Sequence, residues 1–165
     1  MVLRGLYAVV DTALVPETVL VERVGLALHG GARVVQLRDK GEDPGFREWL
    51  ALDLLHLCRG FNVPLLINDD VELAARIGAA GVHLGQGDIP LAEARQRLGP
   101  EAIIGISCHS SLELALQARQ GGANYVAFGR FFPSHTKPIA VQADPGVLTQ
   151  AKRMLDIPLV AIGGI

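Results

Sequence analysis

A chain of 165 residues, half of them hydrophobic, is long enough for one domain with a substantial core and too short for two ordinary ones. The 15 Lys and Arg stand against 17 Asp and Glu, so a net charge of -2 gives no global basic field for nucleic acid or an anionic membrane, and any affinity for phosphate has to be local. Cys58 and Cys108 form neither a disulfide framework nor a CxxC pair, the opening MVLRGLYAVVD lacks the apolar run of a signal peptide, and no stretch approaches ~20 uninterrupted apolar residues, which together predict a soluble cytoplasmic protein.

In chain order, strand-like apolar runs fall at 5–10, 33–37, 64–67, 81–84, 102–107, 124–128 and 158–162. Helical periodicity fills the intervals at 16–28, 43–58, 70–77, 91–98, 111–119 and 146–155, with Trp49 expected in the core and His29 and His56 at the surface or in satisfied packing. Strands spaced by roughly 20 to 30 residues with helices between them predict successive βα units and a parallel sheet. Local chemistry marks several boundaries. Ser110 and Glu113 have capping-box spacing, and the pairs Gly30-Gly31 and Gly121-Gly122 suit helix ends that need a left-handed residue.

The phrases GGARVVQLR, AAGVHLG and GGANYVAFG share a layout of small residues, a strand and a polar end. Polar groups close nearly every strand: Asp11, Gln36 with Arg38 and Lys40, Asn68 with Asp69, Gln86 with Asp88, Ser107 with His109, and the run from Arg130 to Lys137. An open doubly wound sheet gathers its ligand at one switch point, whereas a barrel brings every strand's C-terminal end around one axis, so the barrel is the better expectation and the open sheet its alternative.

The stretch PLLINDDVELAARIGAAGVHLGQGD at 64–88 reads as strand, helix, parallel strand, which places Asp69 and Asp88 at one rim. Two carboxylates there can hold a hard cation such as Mg2+; the competing reading is that Asp69 or Asp70 and then Asp88 merely cap the helices that follow. Gln36, Arg38 and Lys40 alternate at strand spacing and so point to one side, where Gln can meet a heteroaromatic edge and the two cations phosphate oxygens, unless they form only a solvated strand end. Ser107 can donate to a phosphate, or it or a following serine can cap a helix. In FGRFFPSHTKPIA, Ser134, Thr136 and Lys137 between Pro133 and Pro138 suit a phosphate clamp, and Phe131 and Phe132 are expected to be exposed aromatics that argue against a plain surface loop. Gly163 and Gly164 in AIGGI permit the close backbone approach of a phosphate site. No Ser/His/Asp arrangement with an oxyanion loop is present, and Cys108 has no paired base, so acyl transfer and thiol chemistry are not expected.

With these residues in hand, the chain resembles the thiamine phosphate synthase family from LYAVVD to AIGGI, through QLRDK at 36–40, INDD at 67–70, GVHLGQGD at 81–88, GISCHS at 105–110, FGRFFPSHTK at 128–137 and AIGGI at 161–165. The resemblance implies a (β/α)8 TIM barrel, of which seven strands and six helices would lie in this chain as a single domain over 1–165 that is C-terminally incomplete. It implies a Mg2+-dependent transferase that joins 4-amino-2-methyl-5-hydroxymethylpyrimidine diphosphate to 4-methyl-5-(2-phosphoethyl)thiazole and releases diphosphate. It further implies that Gln36, Leu37, Arg38, Asp39, Lys40 and Asn68 bind the pyrimidine diphosphate, that Asp69 and Asp88 hold Mg2+, and that Ser107 and Lys137 contact the diphosphate. Ser134, His135 and Thr136 would take the thiazole phosphate, with Gly164 joining through its backbone; Arg38, Ser107 and Lys137 would be the catalytic groups. Ser134 stands where the family usually has Thr and keeps the hydroxyl. The implied partners are small molecules, with no nucleic acid and no membrane, and a homo-oligomer stays open. Two alternatives are a thiazole tautomerase-like relative, for which Asp69, Asp88 and Lys137 would have no use, and a non-catalytic thiazole-phosphate-binding remnant.

Overall fold

The computed structural model describes residues 3–133 and 142–165. The elements follow one another as β1 (Leu6–Asp11), α1 (Glu17–His29), β2 (Ala32–Arg38), α2 (Pro44–Gly60), β3 (Leu65–Asn68), α3 (Val71–Ile77), β4 (Gly81–Leu84), α4 (Leu91–Leu98), β5 (Ile103–His109), α5 (Leu112–Gln120), β6 (Tyr125–Phe128), α6 (Gly146–Met154) and β7 (Leu159–Ala161). Every expected element is present, displaced at either end by no more than two residues. The displacement has a cause. Pro16, Asp43, Asp70 and Ser111, each expected as the first helical residue, are instead the N-caps of α1, α2, α3 and α5, with extended or otherwise non-helical backbone angles.

The chain divides into two compact units, one of residues 1–83 with 95–103 and one of residues 84–94 with 104–165. In the first, β1, β2, β3 and β4 are hydrogen-bonded in parallel, with Asp11 opposite Arg38, Gln36 opposite Leu66 and Asn68 opposite His83. Leu65, Leu66 and Ile67 are all buried, the near-continuous apolar run of a strand covered on both faces. Leu50, Ala51, Leu54, Leu55 and Cys58 line one face of α2 and are buried with Leu20, Val24 and Leu28 of α1. Each fully buried Leu contributes about 2 kcal/mol. Trp49 corrects the expectation of a core residue: it is 51 % exposed, with the ring of Phe46 beside it at 5.9 Å between centroids. One step along a helix is about 100°, enough to carry it off the stripe that begins at Leu50. His29 and His56 are exposed as expected, and the His29 ring sits edge-on to Phe61.

In the second unit β5, β6 and β7 are parallel, with Ser107 opposite Ala127 and Phe128 opposite Ala161. Tyr125 and Phe128 are fully buried. The helix-start signal here belongs to Ser111 rather than Ser110: the Ser111 hydroxyl accepts from the Leu114 amide at 3.2 Å. In both glycine pairs the second member carries the left-handed backbone, Gly31 at φ +94° and Gly122 at φ +89°, while Gly30 and Gly121 stay right-handed. Among the described residues no helix is long and apolar enough to cross a membrane.

Candidate active site

The C-terminal ends of β1, β2 and β3 carry the first group of polar residues. Gln36 is only 4 % exposed, and its side-chain amide donates to the Tyr7 hydroxyl at 3.1 Å. Two residues on, Arg38 donates through Nη1 to Oδ2 of Asp11 at 2.7 Å. Two further on, Lys40 pairs with Asp69 at the end of β3. The strand alternation expected from the sequence therefore delivers three side chains in succession, Gln36 to Tyr7 within β1, Arg38 to Asp11 at the end of β1 and Lys40 to Asp69 just after β3.

Residues between them face elsewhere. Leu37 is buried in the core, so any ligand contact it makes is through its backbone. The Asp39 carboxylate is 3 % exposed and accepts from the Thr12 hydroxyl, from Arg47 Nε at 2.9 Å and from the Gly41 amide at 3.4 Å. Burial pushes its pKa up, but the hydrogen bonds from Thr12, Arg47 and Gly41 and the charge of Arg47 together hold it below the ordinary value of 3.8. Because the folded-state pKa is depressed, this stabilisation is fully present above about pH 4 and is lost as the pH falls through the folded value. Asp39→Asn is expected to flatten the acid limb of a melting-temperature profile; identical limbs for the two proteins would contradict the assignment.

In the run Asn68-Asp69-Asp70 the structure shows which aspartate caps the helix. Asp70 is the cap of α3, accepting from the Leu73 amide at 2.8 Å, a bond of the kind that stabilises a helix by about 1 kcal/mol. Asp69 sits at φ +63°, with its amide on the His83 carbonyl and its carboxylate on Lys40. The helix thus takes one aspartate and leaves the other with a cationic partner. Asn68, half-buried, ends β3 beside it.

In the second unit, Asp88 Oδ2 accepts from the Gly85 amide at 2.6 Å, closing the loop after β4. Gln86 in the same loop donates to the Ser107 carbonyl at 2.6 Å. Ser107 lies half-buried two residues before the end of β5, and the N-cap of α5 is Ser111. His109 is exposed at φ +52°. Cys108 is fully buried, and burial pushes its thiol up to about 12, which agrees with the absence of a nucleophilic role.

The glycines after β7 are required by the chain itself. Gly163 and Gly164 have φ of +99° and +72°, and a Cβ on Gly164 would lie 2.5 Å from the Pro133 carbonyl oxygen and 2.8 Å from the Phe132 Cβ. Phe131 corrects the expectation of two exposed aromatics: it is buried, its carbonyl accepting from Gln142, while Phe132 is 54 % exposed. Ser134, His135, Thr136 and Lys137 lie outside the described residues.

Asp11, Thr12 and Arg47 were not among the site residues expected from the sequence. The available signal was an acidic residue closing β1 opposite the arginine that closes β2; pairing across strands shows only when the register is known. Among the described residues no cluster of three or more His, Cys, Asp or Glu could hold a metal ion. Asp69 in the first unit and Asp88 in the second each offer carboxylate oxygens, donors whose chemistry suits a hard cation such as Mg2+ and does not suit a soft metal.

The structure is similar to thiamine phosphate pyrophosphorylase from Pyrococcus furiosus, with a TM-score of 0.86 and 36 % identity over 98 % of this chain and 75 % of that one. It therefore has the (β/α)-barrel fold, represented among the described residues by seven strands and six helices. A family model described as thiamine monophosphate synthase matches residues 6–165, and the chain is 60 % identical to the thiamine-phosphate synthase of Marinobacter nauticus over 98 % of its own length and 72 % of that protein's. It is 52 % identical to the thiamine-phosphate synthase of Nitrosococcus oceani, over 99 % of this chain and 75 % of that one. The chain belongs to the thiamine monophosphate synthase family.

Proposed function

We propose that the protein is a transferase that condenses the pyrimidinylmethyl diphosphate with the thiazole phosphate, giving thiamine phosphate and diphosphate. The observation that carries the reading is the grouping of Gln36, Arg38, Lys40 and Asp69 at the ends of β2 and β3, in a chain 60 % identical to a thiamine-phosphate synthase. In this reading Gln36 and Asn68 hold the pyrimidine edge, and Arg38 and Lys40 meet the diphosphate oxygens. Leu37 and Asp39 shape the strand end between them. Ser107 and Lys137 contact the same diphosphate; Ser134, His135, Thr136 and the Gly164 amide take the thiazole phosphate.

Asp69 and Asp88 would hold Mg2+, which when bound supplies neutralising charge to the departing diphosphate. The protein's own contribution is electrostatic: guanidinium and ammonium donors fixed before reaction stabilise negative charge as the carbon–oxygen bond of the pyrimidine diphosphate breaks, and the thiazole nitrogen bonds to the methylene carbon left behind. That nitrogen carries no proton to remove, so no general base is required, in keeping with a buried, neutral Cys108 and the lack of a triad. We place the reaction in the cytoplasm, with small molecules as the only partners it needs.

Incubation with both substrates, with and without Mg2+, tests the reading. Thiamine phosphate and diphosphate are expected in equal amounts and only with the metal. Tight binding of the thiazole phosphate without product would favour the tautomerase-like alternative.

A further inference from the structure

Counted as whole residues, Asp11 and Gln36 are the buried polar residues among those described, at 5 % and 4 % exposed, and Asp11 has no part in the roles assigned above. Both its oxygens are engaged: Oδ2 accepts from Arg38 Nη1 at 2.7 Å and Oδ1 from the Ala13 amide at 3.1 Å. The backbone reinforces the pairing. Asp11 lies opposite Arg38 in the ladder, and the Thr12 amide donates to the Arg38 carbonyl at 3.1 Å. The turn after β1 is fastened to the same residue, since Leu14 and Val15 donate to the Asp11 carbonyl at 3.0 and 3.1 Å.

A pair of this kind is a poor device for stability, because desolvating a carboxylate and a guanidinium offsets most of their attraction. It is a good device for orientation. A free arginine side chain carries rotamer entropy that a ligand would otherwise have to remove on binding. With Nη1 on Asp11, the fork is fixed at one corner and partly exposed, at 20 %, at the strand end. Its other N–H groups have no partner among the described residues and remain able to donate in a plane set by the protein.

We propose that Asp11 is a positioning residue that pre-orients the Arg38 guanidinium for a diphosphate, an inference that rests on the proposed function through the role of Arg38. It acts on one substrate only, and this separates it from a structural role. The probes are inorganic diphosphate with Mg2+ and the thiazole phosphate, each titrated by calorimetry into the full chain and into its Asp11→Asn, Asp11→Glu and Arg38→Ala variants, with melting temperatures measured in parallel. Asp11→Asn keeps an acceptor for Ala13 and removes the charge that holds Arg38; Asp11→Glu restores the charge on a longer arm.

Asp11→Asn is expected to weaken diphosphate about ten- to a hundredfold, to raise KM for the pyrimidine diphosphate alike, and to leave thiazole phosphate binding unchanged. Asp11→Glu should recover part of the loss. The double variant Asp11→Asn/Arg38→Ala should bind diphosphate no worse than Arg38→Ala alone, because Asp11 acts through that residue. Wild-type diphosphate binding by Asp11→Asn, with Arg38→Ala weakened, would overturn the inference and leave the proposed function standing. Equal weakening of both ligands with a lowered melting temperature would also overturn it. Unchanged diphosphate binding by Arg38→Ala would instead remove Arg38 from the proposed site and the inference with it.

Discussion

Asp69→Asn and Asp88→Asn are each expected to lower kcat at saturating substrate by about a thousandfold or more, the effect of removing charge stabilisation from a leaving group. Asparagine is chosen over alanine for a structural reason. Asp69 stands at φ +63°, where asparagine is tolerated and a Cβ-bearing residue without a local hydrogen bond costs about 1–2 kcal/mol, so Asp69→Ala would mix a backbone penalty with the chemical one. Asp88→Asn keeps an oxygen for the Gly85 amide. Both variants should fold: the pairing of Asp69 with Lys40 is partly exposed, with 24 % and 53 % of the two side chains accessible, and such pairs contribute about 1 kcal/mol at most. The measurement is a Mg2+ titration of initial rate beside a melting curve. Near-wild-type turnover of either variant at saturating Mg2+ would remove that aspartate from the proposed metal site.

The largest losses of stability are expected at two glycines whose missing side chains make room for other parts of the chain. A Cβ on Gly81 at the start of β4 would overlap the Ile103 carbonyl oxygen and lie 2.6 Å from its carbon. The obstacle is backbone, itself held by the bond from the Ile103 amide to the Ala80 carbonyl at 2.9 Å. Nothing nearby can rotate away. Gly81→Ala should therefore cost about 3 kcal/mol or more, a fall in melting temperature of about 6–12 °C. Gly105 in β5 presents the contrasting case, because a Cβ there would overlap the ring of fully buried Tyr125, a side chain. Gly105→Ala should cost as much alone, but Gly105→Ala/Tyr125→Leu should be more stable than the two single losses predict, since the smaller side chain vacates the overlapped space. No substitution at Ile103 should rescue Gly81→Ala, since every residue carries the same carbonyl. A wild-type melting temperature for Gly81→Ala would show that the two strands do not approach this closely.

Periodicity and caps proved the reliable local signals. The apolar runs that end at Asn68 and Leu84 are strands because a continuous buried stretch flanked by polar and glycine residues has few other solutions, and Asp43, Asp70 and Ser111 punctuate helices because their side chains satisfy orphan amides. The same reasoning placed them one residue too far into the helix, since a cap looks like a first turn in one dimension. Trp49 shows where composition misleads: bulk and apolarity suggested core, while its phase on α2, decided by Leu50 and Leu54, turned it outward. Phe131 failed in the opposite sense. Its neighbours are loop residues, yet the bond from its amide to the Ile162 carbonyl and the return of the chain at Gln142 bury it.

What the sequence by itself determined was the order and type of the elements, the parallel βα layout, and which strand ends carry acids, cations and amides, because these follow from interactions among residues a few positions apart. Which of two consecutive aspartates serves a helix, and which arginine, lysine and glutamine find which partner, only the tertiary structure decided. Asp11 and Arg38, or Lys40 and Asp69, lie 27 and 29 residues apart, and nothing local dictates that they meet. They meet because strand register and side-chain alternation fix neighbours through backbone hydrogen bonds that carry no side-chain identity.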